Sequence, residues 1–189
     1  KVDVRKRFVL EGSRAFSTTY VYANLLGNEA GRAIYDGGAM VASGGRMLAV
    51  GPRFRFAEQL VTSAVVDVEA TRMEQARNVS FEPVVGEEAL QGVRCTFDYP
   101  PLEPQPHGLD VEGWELGEHR REEELYRAVT LGLFDYLRKS GARGFVVSAS
   151  GGADSSAVAC LVALTVRRGV EELGLPEAAR RLGRVDLAG

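Results

Sequence analysis

The chain of 189 residues is 45% hydrophobic and 26% charged, and its 23 Lys+Arg against 26 Asp+Glu leave a formal net charge of −3. That composition suffices for a packed core in one or two domains, and it excludes the basic footprint of a nucleic-acid binder or a membrane-surface protein. Two distant cysteines, Cys95 and Cys160, argue against a disulfide framework, no apolar run is longer than Ala157–Leu164, well short of a membrane span, and no signal-like stretch opens the chain.

The expectation is a soluble, cytoplasmic protein with small-molecule partners and neither a nucleic-acid nor a membrane partner. Residue 1 is Lys and the chain stops soon after its most informative motif, so an internal piece of a larger protein is expected.

From Val4 to Ser17, Phe8, Val9 and Ala15 lie among Arg5, Lys6, Arg7, Glu11 and Arg14, which predicts a charged-faced helix weakened by Gly12. Thr18 to Leu26 is aromatic and β-branched and predicts a strand ended by Gly27-Asn28. After Asp36-Gly37-Gly38, the segments Ala39–Ser43 and Arg46–Val50 flank Gly44-Gly45, a two-residue connection suited to a tight hairpin. Leu60 to Val68 predicts a further strand, buried on both faces.

Five of the seven prolines fall between Pro83 and Pro106, so a stiff linker is expected over 69–118, with Pro100 to Pro106 unable to sustain a helix. From Arg120 to Lys139 a helix is predicted. Glu122, Glu123 and Glu124 suit its start, Leu125, Val129, Leu133, Tyr136 and Leu137 form an apolar stripe, and Gly141 caps it. Gly144–Ser148 predicts a short buried strand, and a helix from about Ser155 to Arg168 follows, apolar nearly all round from Ala157 to Leu164.

Between that strand and helix stands Ser150-Gly151-Gly152-Ala153-Asp154-Ser155-Ser156. A glycine pair at such a junction lets backbone N–H groups converge, and the helix adds the positive end of its dipole, which makes a phosphate cradle. No lysine follows the glycines, so the Walker pattern fails. Asp154 beside a polyphosphate requires a divalent cation between the two. The plainer alternative is a flexible turn with Asp154 as an ordinary N-cap.

The S-G-G-x-D-S motif resembles the pyrophosphate loop of N-type ATP pyrophosphatases. Tyr20 to Phe54, with Tyr35-Asp36-Gly37-Gly38, resembles the C-terminal half of a nitrilase-type carbon-nitrogen hydrolase, and Glu122 to Gly141 with the glycine loop resembles the opening of a glutamine-dependent NAD⁺ synthetase domain. The combination resembles the glutamine-dependent NAD⁺ synthetase family. The fold class this implies is α/β: the C-terminal part of a nitrilase-like α-β-β-α sandwich over 1–68, the Pro-rich linker over 69–118, and over 119–189 the start of a Rossmann-like parallel-sheet domain of the adenine nucleotide alpha hydrolase type.

The resemblance implies a ligase that uses ATP and Mg²⁺ to amidate nicotinic acid adenine dinucleotide (deamido-NAD) through an acyl-adenylate, with ammonia from glutamine, releasing AMP and pyrophosphate. It implies a homo-oligomer in the full-length protein. By motif position Ser148, Ser150, Gly151, Gly152, Ala153, Asp154 and Ser155 line the ATP phosphates, with Asp154 as the Mg²⁺ contact. No catalytic residue is assigned, because the family's Glu-Lys-Cys glutaminase triad is expected upstream of Lys1, and the isolated 189 residues are expected to be inactive. Lys1 stands near a position where the family has a basic residue. Cys160 reads as a small core hydrophobe, Cys95 as inert, and His107 and His119 as solvated or capping groups. Two alternatives stay open: another N-type pyrophosphatase with a different acceptor, and an inert packing piece.

Overall fold

The computed structural model describes residues 2–29, 31–78, 95–96, 98, 102–103, 109, 111–184 and 186. They form two compact units. The first takes Lys1–Tyr22, Met40–Val50 and Thr62–Leu109, and the second takes Ala23–Ala39, Gly51–Val61 and Asp110–Gly189.

In the first unit, helix α1 (Val2–Ala15) packs on a three-stranded sheet of order β1 (Thr19–Ala23), β4 (Ala39–Ser43) and β5 (Arg46–Val50). Val2 and Val9 on α1 close over Met40 and Ala42, while Phe8 is exposed. Gly12 serves close approach: a Cβ there would stand 3.1 Å from the Tyr20 ring. The hairpin forms as the sequence predicts, antiparallel with Ser43 opposite Arg46, and Gly44 and Gly45 at its tip both take positive φ. Ser13 ties helix to hairpin, its Oγ accepting from the Gly45 amide at 3.0 Å. The expected strand over Leu60–Val68 does not form. Residues 60–67 run without regular structure, Ala64 and Val66 pack on Val41, Leu48 and Ala49, and Asp67 caps a helix, α2 (Val68–Arg77), inside the expected linker. His107, Lys1 and the prolines of Pro100–Pro106 lie outside the described residues.

The predicted strand Thr18–Leu26 is two strands. After Ala23 the chain leaves the first sheet, the Asn24 side chain donates to Asp36 Oδ1 at 2.6 Å, and β2 (Leu26–Glu29) pairs antiparallel with β3 (Ala33–Asp36) in the second unit. Gly27 therefore lies within a strand rather than ending one. Its φ is +107°, and a Cβ there would stand 2.6 Å from Asp135 Oδ2, so only glycine admits that carboxylate. Both strand registers described are antiparallel, and the expected parallel sheet is not seen among the described residues.

Helix α4 (Arg120–Ser140) lies on β2 and β3 and ends on Gly141 in the left-handed conformation, as predicted. His119 occupies the N-cap without a side-chain cap bond. The buried face differs from the expected stripe: Thr130, Leu131, Gly132, Phe134, Asp135 and Leu137 face inward, whereas Leu125 and Tyr136 are exposed. Gly132 lets α4 approach β3 closely, since a Cβ would meet Ile34 Cδ1 at 2.7 Å. Helices α3 (Gly113–Leu116), α5 (Ala153–Leu173) and α6 (Leu175–Arg181) complete this unit, and its core gathers Phe54, Phe56, Leu131 and Phe134. Among the described residues no helix is long and apolar enough to cross a membrane.

Two buried ionic clusters fix these elements. Asp135 accepts from the Asn28 amide at 2.7 Å and pairs with Arg138 at 2.6 Å and Lys139 at 2.7 Å. Burial opposes its charge, but Lys139, the Asn28 amide and Arg138 together hold the carboxyl below its ordinary value. Arg53 is 1% exposed and meets Glu115 and Glu124 at 3.1 Å each and Asp36 at 3.5 Å. Its guanidinium lies 4.9 Å from the Trp114 ring centroid and 5.1 Å from that of Phe54. Burial opposes this charge too, and Glu115 and Glu124 outweigh it, raising the Arg53 pKa.

Replacing Arg53 by Met leaves Glu115 and Asp36 buried without their cation, so urea unfolding is expected to show a loss of about 3–5 kcal/mol, part of it recovered by adding Glu115→Gln. Asp135→Asn is expected to cost about 1.5–3 kcal/mol at neutral pH. Because the folded carboxyl titrates below its unfolded counterpart, that contribution is complete above about pH 4 and fades as pH falls through the lower folded value. Unfolding curves of the two proteins should therefore converge in acid, and a gap that stays constant with pH would refute the assignment.

Candidate functional site

The seven residues picked out by the glycine motif lie together at the start of α5. Gly151 takes a φ of +81° with open space where a Cβ would be, and Gly152, extended at φ −86° and ψ 167°, is the N-cap. The helix begins at Ala153, two residues before the expected start. Ser155 and Ser156 turn their hydroxyls back to donate to the Gly152 carbonyl at 3.1 and 2.9 Å, and Ser150 Oγ lies 3.1 Å from Ser155 Oγ. Gly152 makes no side-chain cap, so the first amides of α5 carry no side-chain acceptor at that position. Asp154 is not the N-cap, contrary to the plainer alternative. It sits in the first turn, exposed, with no hydrogen bond or ion pair among the described residues. Ser148 and Ala153 are exposed as well.

Residues 144–148 correct the expectation of a buried strand. They form no strand pair among the described residues, and Val146 is fully exposed. Helix α5 differs from its expected burial in the same way: from Ala157 to Cys160 it is exposed, and Cys160 is not a core residue. The buried residues of α5 are Thr165, Arg168 and Gly169, all in its C-terminal half. An apolar groove of about 210 Å³ runs beside it, lined among others by Phe134, Leu137, Phe145, Val162, Val166 and Leu182.

How α5 is held was not foreseen from the sequence. Arg168 donates to the Phe54 carbonyl at 3.1 Å and to Thr130 Oγ1 at 2.8 Å, and Glu172 accepts from the Phe56 amide at 2.7 Å. From α6, Arg181 donates to the Phe56 carbonyl at 2.8 Å. The one signal available in the sequence was Arg168 itself, which stands three residues after Thr165 on what would otherwise be an inward face. Glu124, read as a helix-start preference, proves to be an Arg53 partner.

Chemically the loop offers helix N-terminal amides, small hydroxyls and one unengaged carboxylate. Among the described residues no three His, Cys, Asp or Glu side chains gather as a metal cluster. A divalent ion at this loop would thus take Asp154 from the protein and its other oxygens from a bound phosphate and water, the donor set of a Mg²⁺–nucleotide complex.

The model of the NAD synthase family matches residues 125–183, which contain the whole loop, all of α5 and most of α4. Among curated relatives, a glutamine-dependent NAD(+) synthetase from Oryza sativa subsp. indica is 35% identical over 166 residues, 86% of this chain and 22% of that protein. The enzyme of the same name from Homo sapiens is 32% identical over 149 residues, 76% of this chain and 20% of the other. A crystal structure of a glutamine-dependent NAD(+) synthetase from Cytophaga hutchinsonii superposes with a TM-score of 0.67 at 34% identity, covering 99% of this chain and 24% of that one. The chain spans under a quarter of the length of each of these relatives. The chain is thus similar over most of its length to proteins named glutamine-dependent NAD(+) synthetases, and its residues 125–183 match the model of the NAD synthase family.

Proposed function

We propose that the protein to which this chain belongs makes NAD⁺ by ATP-dependent amidation of deamido-NAD, with glutamine as the ammonia source. The observation that carries the reading is the loop of Gly151 and Gly152 leading into α5 with Asp154 unengaged in its first turn. Nucleotide cleavage to AMP and pyrophosphate develops negative charge on the leaving group, and preorganised amides with a cation are what stabilise it. Ser148, Ser150, Gly151, Gly152, Ala153 and Ser155 contact the phosphates, and Asp154 holds Mg²⁺, which supplies charge neutralisation of the departing pyrophosphate. The acceptor is the nicotinate carboxylate, activated as an acyl-adenylate and then attacked by ammonia. The nitrilase-like segment 1–68 and the synthetase segment 119–189 are the two functional parts on this reading, joined across 69–118.

A carboxylate facing a triphosphate explains the absence of a lysine in the loop. Two like charges in contact repel, so Asp154 favours nucleotide only in its Mg²⁺ complex. A phosphate cradle relying on lysine would bind free nucleotide equally well.

Incubating the enzyme with ATP, Mg²⁺, deamido-NAD and either glutamine or ammonia should yield NAD⁺, AMP and pyrophosphate in equal amounts. Release of AMP with other acceptors but not with deamido-NAD would instead favour a different N-type pyrophosphatase. Asp154→Asn is expected to lower amidation by roughly 100-fold or more while leaving glutamine hydrolysis in place. An unchanged rate of amidation would remove Asp154 from the site.

A further inference from the structure

The segment Arg53–Phe56 has an uncommon conformation, and although Arg53 Nε is buried without a hydrogen-bond partner among the described residues, the main chain of its two phenylalanines is held closely. Phe54 has a φ of +57° although it is not glycine, and it is 4% exposed. A left-handed bulky residue persists only where its surroundings over-determine it. Here they do: the Phe54 amide donates to the Asp36 carbonyl at 2.8 Å, its carbonyl accepts from Arg168, the Phe56 amide is taken by Glu172, and the Phe56 carbonyl by Arg181. All four main-chain polar groups of the two phenylalanines are engaged, three of them by charged side chains from α5 and α6.

Arg168 is the unusual member. It is 6% exposed and makes no ion pair among the described residues. Its guanidinium is received by neutral acceptors, the Arg127 and Phe54 carbonyls and Thr130 Oγ1, and lies 4.8 Å from the Phe56 ring centroid and 5.4 Å from that of Tyr126. Burial and then the neighbouring Arg127 push its pKa below the ordinary arginine value. Burial of this guanidinium costs desolvation, and its bonds to the Phe54 carbonyl and Thr130 Oγ1 offset that cost only while all of them are made. What it does specify is geometry: one rigid fork joins α5 at once to α4 and to the left-handed strap.

We propose that Arg168 is a positioning residue for nucleotide binding, fixing the axial placement and tilt of α5 so that the loop at its other end meets the ATP phosphates; the inference rests on the loop being the nucleotide site. Asp154 lies fourteen residues before Arg168, about 21 Å along the helix axis. Among the described residues the buried positions of α5 lie in its C-terminal half, where the strap holds it. A change in tilt of about 5° at the clamp moves the loop by nearly 2 Å over such a lever. Misplacement of about 1 Å is enough to cost on the order of 100-fold in a preorganised site.

The test is Arg168→Met in the whole enzyme, with Asp154→Asn measured in parallel. The expected result is a rise of about ten-fold or more in KM for ATP, with KM for deamido-NAD and the rate of glutamine hydrolysis unchanged, whatever lowering of the melting temperature the unpaired Phe54 carbonyl brings. An arginine with a merely structural role would lower the melting temperature or the active fraction, and hence kcat, without moving KM for ATP; that outcome overturns the proposal. If Arg168→Met is not recovered folded, Arg168→Lys carries the test, because it keeps the charge and loses the fork: a raised KM for ATP supports positioning, an unchanged one refutes it. Weakened ATP binding in Asp154→Asn with none in the Arg168 variants sinks the positioning role alone. Unchanged ATP binding in Asp154→Asn sinks the nucleotide reading of the loop and the positioning role with it.

Discussion

Capture of the Arg53–Phe56 strap is the interaction on which the second unit depends. Its two aromatic side chains supply half of the buried core cluster with Leu131 and Phe134, and its backbone is read group by group by Asp36, Arg168, Glu172 and Arg181. An aromatic core alone is non-directional and tolerates sliding of one helix on another. Hydrogen bonds to main-chain atoms do not, because a displacement of one residue leaves a buried amide or carbonyl without a partner. The strap thereby converts an oily contact among α4, α5 and α6 into one with a single permitted register.

Arg53 and Arg168 lie on that strap and on the helix against it, and they solve the problem of buried charge in opposite ways. Arg53 is surrounded by three carboxylates and stacked against Trp114, so its attraction offsets the loss of water. Arg168 makes no ion pair among the described residues and relies on neutral oxygens and ring faces, with Glu172 acting on its charge from farther away. The first is a stabilising hub as long as all partners stay. The second contributes specificity of placement rather than net stability.

Much of the local architecture was legible in the chain, because it rests on short-range chemistry. Gly44-Gly45 between two apolar runs specified a hairpin tip, and three glutamates, a basic end and Gly141 delimited α4 to within a residue. The failures share a different cause. Gly27-Asn28 looked like a stop signal because the partner that requires glycine, Asp135, lies more than a hundred residues away. Leu125, Val146 and Ala157–Cys160 read as core because apolar patterning says that a surface favours cover without saying what covers it. Leu60–Val68 had strand composition but follows the strap and precedes the Asp67 cap, and tertiary placement prevailed over propensity. At the candidate site, the glycine turn and a helix start within two residues of the expected one were legible because both act locally. Arg168 was not, since its acceptors come from Phe54 and α4.

The loop and the strap stand in a definite physical relation. A helix N-terminus offers an anion only a modest attraction, worth about 0.3–1 kcal/mol in an exposed setting and falling off within a turn. Such a weak field discriminates among bound geometries only if its amides are already aimed, so the rigidity of the helix matters more than its dipole. Gly151 and Gly152 give the loop shape without stiffness, since neither offers a side chain to pack and Gly151 has nothing near it. Among the described residues, stiffness comes along α5 itself, which its neighbours grip by hydrogen bonds at the strap end, at Arg168 and Glu172. On the proposed reading of the loop, ordering a distant, left-handed phenylalanine with buried charge is what aims the glycine turn at the far end of the helix toward a phosphate.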